Sequence, residues 1–477
     1  MEPLSRLSGD TATGKSSKRS TSTGKSSENA LRRETVGIDD ISVYIPKLYL
    51  PVTGEFAASR GIDPAKLTRG IGIERMAVPD VHEDAATMAA MSLLELMRRA
   101  NLKPEEIGKI YVGTESAVDE AKALGTYVIG MLEQVYGAGS FQDCATVEFK
   151  SACIGTTQAL EALSYWAAAE EEDKVGVVIA SDVAKYPLRS AGEYTQGAGS
   201  VSLLVKKNPR LIALEGIFGS FTRDENDFFR PLGATTAVVN GKHSNQCYLD
   251  AMQGAFDAFA AKARRKGVIV PKEGECVTDF FSHLLFHIPY PRMVEYASAA
   301  IFEHYWQGQA RWKEVEAEIG AEPKPGDYES PDKFQAAKSD YSRQFAKSKH
   351  FLDAFKSKVL DTTSISRLVG NIYTGSIYLG LASLIEQERV KSGDRLCFGA
   401  YGSGCSALVF SGLVQSDAAS VPKRDLFQRL ERRTQIPLAD YERLHEGLKE
   451  KSIIAPSQEF ALTEIDHQGY RHYGWIG

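Results

Sequence analysis

The chain has 477 residues, enough for two or more domains or for one large fold built from repeated halves. Hydrophobic residues make up 43% and charged residues 25%, the balance of an ordinary soluble globular protein. A net charge of -6 argues against a nucleic-acid binder, and no apolar run is long enough to span a bilayer, so neither nucleic acid nor membrane is expected as a partner. No cleavable leader opens the sequence, and its six cysteines (Cys144, Cys153, Cys247, Cys276, Cys397, Cys405) form no CxxC pair. They are too sparse for a disulfide framework and lack zinc-ligand spacing, which points to a reducing, cytoplasmic compartment and to no bound metal.

Residues 1–35 are Ser, Thr, Gly and charge, with TGKSS at 13–17 repeated at 23–27, a composition expected to stay disordered. Gly9 to Ser16 matches the phosphate-loop pattern G-x-x-x-x-G-K-[ST]. That motif needs a buried strand before the glycines and a helix after them, and MEPLSRLS and SKRSTST supply neither. From Val36 the texture changes. VGIDDISVYIP alternates like a strand, EDAATMAAMSLLELMRRA has helical spacing, and IGKIYVGTES is an apolar strand running into a polar turn. Next come VEFKSACIGTTQALEALSYW, then VGVVIASD and SVSLLVKK. The second half repeats the style in TDFFSHLLFHIP, GNIYTGSIYLGLASLIEQER and RLCFGAYGSGCSALVFSG. Alternating strands and helices predict an α/β architecture, and the charged stretch at about 305–360 predicts a helical insertion with a solvated surface.

Three residues stand at strand ends where chemistry is often placed. Cys153 lies between a strand-like run and a helical run, so a turn of one or two residues should set it at the helix N-terminus, where unpaired N–H groups favour a thiolate. The ordinary alternative for such a cysteine is inert packing. Glu115 follows the apolar run KIYVG; it is a general base if partly desolvated, or a cap of the next segment if not. His283 and His287 are four apart, but the segment reads as a strand closed by Pro289 and Pro291, without the glutamate of a zinc motif. His287 stands at its end, leading into the turn.

The ordered run VGTESAVDEAKA, SACIGTTQAL, SDVAKY, GEYTQGAGSVSLLV, DFFRP, GKHSNQCYLDA, FHIPYPRMV, GNIYTGSIYLGLASL and GAYGSGCSA resembles hydroxymethylglutaryl-CoA (HMG-CoA) synthases of bacterial type, in the thiolase-like superfamily, from Val36 to the C-terminus. The resemblance implies a five-layered αβαβα core of two similar halves, 36–206 and 207–413, with the helical insertion in the second and an extension at 414–477. It implies a homodimer that condenses acetyl-CoA with acetoacetyl-CoA and water to HMG-CoA and CoA, an early step of the mevalonate route to isoprenoids. No cofactor is implied, the CoA thioesters being substrates. On matching positions, Cys153 is the acetyl-carrying nucleophile, Glu115 the base for its methyl group, and His287 the residue that polarises acetoacetyl-CoA. Asp182, Tyr186, Thr195, Asp227, Ser244, Asn371 and Tyr373 match positions lining the acyl pocket; the amides of Cys153 and Ser403 suit a developing oxyanion.

Some residues depart from the family's pattern. Arg292 replaces a usual lysine and is expected to meet a CoA phosphate, Tyr296 stands where animal forms have a second lysine, Ile154 replaces a usual Tyr, and Arg230 replaces Lys. The nearest alternative is a β-branching relative that acts on acyl groups held by a carrier protein in polyketide synthesis. It shares all three reacting residues.

Overall fold

The computed structural model describes residues 34–477, so the TGKSS repeat and the Gly9–Ser16 match lie outside the described residues. The first half runs β1 (Val36–Tyr44), α1 (Ala85–Ala100), β2 (Ile107–Gly113), α2 (Leu124–Tyr136), β3 (Ala145–Phe149), α3 (Gly155–Ala169), β4 (Val175–Val183) and β5 (Ala198–Lys207). The second half opens with β6 (Ile212–Thr222), a small flap of β7 (Phe228–Phe229) and β8 (Val238–Val239), then α4 (Gly241–Arg265), β9 (His283–Phe286) and α5 (Pro291–Trp306). The insertion holds α6 (Trp312–Ile319), α7 (Pro331–Phe345) and α8 (Lys349–Lys358), and after it come α9 (Ser376–Glu386), β10 (Arg395–Gly402) and β11 (Ser406–Val414). The extension ends in the hairpin β12 (Glu459–Ile465) and β13 (Arg471–Ile476).

Local chemistry explains where these elements start and stop. Asp84 accepts from the amides of Ala86 and Thr87 while Thr87 returns a bond, and α1 ends at Asn101 in the left-handed region. β4 and β5 are buried on both faces, which is why VGVVIASD and SVSLLVKK read as continuous apolar runs rather than alternating ones.

The strands form one nine-stranded mixed sheet in the order β9-β10-β11-β6-β1-β5-β4-β2-β3. Within the sheet its halves are joined by Gly37 and Ile38 of β1 against Ala213 and Ile212 of β6. Each half repeats one unit: a strand parallel to its neighbour (β2 with β4, β9 with β10) that continues into an antiparallel hairpin partner (β5, β11). The helix before each hairpin, α3 or α9, lies in the middle layer, where Thr157 Oγ1 meets Tyr378 Oη at 2.9 Å. α1 and α2 cover the outer face of the first half, and α4 and α5 that of the second, which completes five αβαβα layers. The insertion is helical as predicted, but it is more than a solvated surface. Trp306, Trp312, Phe345 and Phe351 stack together with ring centroids 5.5–5.9 Å apart, extending the second half's core.

Glu115, Cys153 and His287 follow the C-terminal ends of β2, β3 and β9, the usual face for chemistry in parallel sheets. There β2 approaches α3 closely. A Cβ on Gly113 would sit 2.3 Å from the Thr156 amide nitrogen and 2.5 Å from its Cα. Gly113→Ala should therefore destabilise the chain by about 1–3 kcal/mol through overpacking. Gly130→Ala, on the exposed side of α2 with nothing within 4 Å of the new methyl, should stabilise it by roughly 0.5–1 kcal/mol. Denaturant midpoints of the two variants measure this; equal midpoints would contradict the close approach.

Candidate active site

Cys153 sits in a five-residue turn, Lys150 to Ile154, longer than the one or two residues expected. The extra length lets Ala152 adopt φ 46° and sends the sulfur inward; Cys153 is only 7% exposed. The expected thiolate is not what this setting favours. The amides of Ile154 and Gly155 bond the carbonyls of Ser151 and Ala152 at 3.3 and 3.2 Å, so these N–H groups do not serve the sulfur. Burial and the neighbouring Glu115 charge push the Cys153 thiol up, and it donates to Glu115 Oε1 at 2.7 Å.

Glu115 is held by its backbone. Its amide donates to Asp182 Oδ1 at 2.7 Å, and its carbonyl accepts from Arg230 Nη2 at 2.6 Å. Burial, then the Asp182 charge, pushes its carboxyl up to about 8. The carboxyl faces Cys153 from an open cleft of about 740 Å³ that Ala152, Phe228, Arg230 and Tyr373 also line.

Cys153 itself lines a second cavity, of about 390 Å³, together with Tyr186, Thr195, Ser244, His287, Asn371, Tyr373 and Ser403. Tyr186, Phe228 and Tyr373 meet edge to face with centroids 6.1–6.4 Å apart. His287 follows β9, and its amide donates to the Gly399 carbonyl at 2.8 Å. Tyr248 lies 6.2 Å from the ring at an interplanar angle of 28° and donates to the His287 carbonyl. Burial pulls the imidazole down to about 3, which keeps it neutral, and its Nδ1 is buried without a protein partner. Asn371 Oδ1 accepts from the Tyr373 amide and Ser376 Oγ, so it also caps the chain entering α9.

Three residues expected at the substrate are placed otherwise. Asp182 and Asp227 are fully buried behind the cavity wall. Asp227 accepts from Ser244 Oγ at 2.9 Å, Tyr401 Oη at 2.8 Å and the Gly404 amide at 2.8 Å, so it holds the wall rather than forming it. Arg292 is committed to the carbonyls of Arg69 and Gly70 and to Glu295. Ile154 does not line the cavity. It is 1% exposed and packs on Gly402, where a Cβ would lie 2.8 Å from its Cγ2. Tyr248 and Tyr401 were not singled out from the sequence; Tyr248, four residues after Ser244 on α4, shares its face and was legible from that spacing alone.

Two family profiles divide the chain between them, Hydroxymethylglutaryl-coenzyme A synthase N terminal over residues 32–209 and C terminal over residues 212–468. The chain belongs to the HMG-CoA synthase family. The profiles meet in the connection between β5 and β6, where the two halves of the fold meet. A hydroxymethylglutaryl-CoA synthase of Haloferax volcanii is 34% identical over 454 residues, covering 93% of this chain and 99% of its own length. One from Enterococcus faecalis is 32% identical over 412 residues, covering 86% and 91%. The solved structure of MvaS in complex with 3-hydroxy-3-methylglutaryl coenzyme A superposes with a TM-score of 0.79 at 32% identity, covering 93% of this chain and all of that one. The thiolase-like layers of this synthase-family fold follow from the same comparison.

The Glu115 carboxyl makes stability depend on pH. Unfolded it loses its proton near 4.5; folded it keeps it to about 8, so the folded chain binds more protons between these values. Its contribution is full below about 4.5 and is lost as pH rises through about 8. Glu115→Gln cannot ionise, so its stability relative to the parent should grow as pH rises from about 4.5 to about 8 and level off above that. Thermal midpoints across that range check this; a constant difference would mean a carboxyl in ordinary solvent.

Proposed function

We propose that the protein is an HMG-CoA synthase, a condensing acyltransferase that joins acetyl-CoA to acetoacetyl-CoA with water, releasing HMG-CoA and CoA. The observation that carries this reading is the 2.7 Å contact between the Cys153 thiol and the Glu115 carboxyl, with neutral His287 lining the same cavity as Cys153. In the first step Cys153 attacks the acetyl carbonyl; its proton passes to the departing CoA sulfur, and a cysteine thioester forms. Glu115, desolvated and of raised basicity, then takes a proton from the acetyl methyl group. The resulting enolate attacks the ketone carbonyl of acetoacetyl-CoA. Neutral His287 donates a hydrogen bond to that carbonyl oxygen, and the alkoxide formed there takes up the proton that Glu115 removed and ends as a hydroxyl, leaving Glu115 ionised again. Water finally cleaves the Cys153 thioester.

The aromatic wall of Tyr186, Phe228 and Tyr373 keeps bulk water from the enolate. Ser403 and Asn371 are the polar groups that orient the acyl chain, and the amides of Cys153 and Ser403 the donors to the developing oxyanion. Thr195, Tyr186, Ser244 and Tyr373 shape the pocket; Asp182 and Asp227 act through them. Arg292 reaches a CoA phosphate only by releasing Arg69 and Gly70. The scheme needs no cofactor. Among the described residues no helix is long and apolar enough to cross a membrane; a cytoplasmic place in mevalonate synthesis is part of the same proposal.

The homodimer reading rests on β3. It is an edge strand of the large sheet, its outward residues are open, and Val147 is 44% exposed, so a second copy can extend the sheet across this edge. Val147→Lys should shift the species seen by light scattering from dimer to monomer; an unchanged mass would move the interface elsewhere.

Labelled acetyl-CoA tests the chemistry. Label should appear on Cys153 and vanish in Cys153→Ser. Glu115→Ala should still acetylate but lose condensation by about 10²–10⁴-fold, the usual worth of a positioned base. Label that persists in Cys153→Ser, or condensation intact in Glu115→Ala, removes that residue from its role. Running the assay with acetoacetyl-CoA and with acetoacetyl-carrier protein separates the synthase from its β-branching relatives; faster turnover with the carrier would overturn the acceptor assigned here.

A further inference from the structure

Three segments behind the cavity wall bring a carboxylate, an imidazole and a thiol together. Residues 223–225, just past β6, are strapped to the turn that carries Ser403: the Arg223 amide donates to the Cys405 carbonyl at 3.0 Å and the Glu225 amide to the Gly404 carbonyl at 2.9 Å. The first turns of α4 face this strap. His243 and Cys247 are four apart on that helix and therefore share one face. His243 Nε2 lies 3.0 Å from Glu225 Oε2 and 3.6 Å from Cys247 Sγ. One ligand atom from each of the three residues lies within 4.8 Å of the other two.

These separations are close to the edges of a tetrahedral metal site. Zn–N and Zn–O bonds near 2.0–2.2 Å and Zn–S bonds near 2.3 Å give ligand-to-ligand edges of about 3.3–3.6 Å. The second carboxylate oxygen, Glu225 Oε1, is held by Arg223 Nε at 2.7 Å. That leaves Oε2 for an ion and supplies the outer hydrogen bond that ligating carboxylates generally have. Arg223 is itself offset by Asp250, 3.4 Å away, and buried Asp227 adds negative charge beside Cys247. His243 and Glu225 reach solvent, whereas Cys247 is fully buried beneath them, so an ion has an entry path.

We propose that Glu225, His243 and Cys247 form a site for one borderline-soft divalent cation, zinc above all, with the fourth position left to water. One thiolate, one imidazole and one carboxylate favour zinc over magnesium or calcium, which take oxygen ligands. Binding forms the metal–sulfur bond and releases the Cys247 proton to solvent. The site is separate from the reacting groups but shares its frame with them. Ser244, between the two helical ligands, lines the cavity and bonds Asp227, and the strap holds the Ser403 turn. A bound ion therefore ties α4 to the wall of the cavity.

Cobalt is the probe. Full-length Cys153→Ala, which lacks the cavity thiol, is titrated with Co²⁺ alone. One equivalent should bind with a thiolate-to-cobalt charge-transfer band and the intense visible bands of tetrahedral cobalt, and Zn²⁺ should displace it. Cys247→Ala in that background should lose the charge-transfer band. His243→Ala and Glu225→Gln, both at partly exposed positions, should each weaken binding on the order of tenfold or more. Because Cys247 is buried, His243→Ala decides the matter should Cys247→Ala fold poorly. Absence of the band in the starting protein, or equal affinity in His243→Ala, overturns the site.

Discussion

The carboxylate of Asp182 is the point on which the cluster of Glu115 and Cys153 depends. Fully buried, it accepts from Thr114 Oγ1, the Glu115 amide and Ser116 Oγ on one oxygen, at 2.7–3.0 Å, and from the Thr374 amide and hydroxyl on the other, at 3.2 and 2.7 Å. Burial pushes its own carboxyl up to about 6 against these donors. A buried charge persists only when so satisfied. The bonds gather the ends of β2 and β4 and the chain entering α9, so two halves of the fold meet at one side chain. They fix where Glu115 stands. The Asp182 charge then helps raise the Glu115 carboxyl, so one residue both positions and tunes it.

Burial sets the electrical state of the whole centre. It raises the Cys153 thiol and the Glu115 carboxyl and lowers the His287 imidazole. All three shifts favour the uncharged forms. The thiol and the carboxyl of raised basicity share one hydrogen bond of 2.7 Å. A neutral imidazole donates to a carbonyl oxygen without first losing a charge. The cost is a centre that becomes less stable as pH rises and Glu115 ionises.

Two turns from different halves meet at the sulfur. The Lys150–Ile154 turn carries Cys153, and the turn between β10 and β11 carries Ser403. Ile154 and Gly402 form the contact between them, which requires glycine at 402 because a Cβ would strike the Ile154 side chain and amide. The departure at Ile154 is thus a packing choice in the shared core. On the outer side of the Ser403 turn, Asp227 and the strap at 223–225 continue the same frame to Glu225, His243 and Cys247.

The α/β class, the order of strands and helices and the ends at which Glu115, Cys153 and His287 stand were all legible in the sequence. These rest on periodicity and on the ordered family motifs, which are local or nearly so. The insertion was legible as helical, though its aromatic core was hidden because Trp306, Trp312, Phe345 and Phe351 are spread along the charged run. Motif position could not separate residues on the cavity wall from those behind it, so Asp182 and Asp227 read like Asn371 and Ser403. Nor could it show the burial that keeps Cys153 a thiol, or the Glu225 carboxylate meeting His243 from eighteen residues away. Sequence determines which groups a chain has and what local elements carry them. Desolvation and contacts between distant segments arise only when the layers pack, and here they decided what state those groups are in.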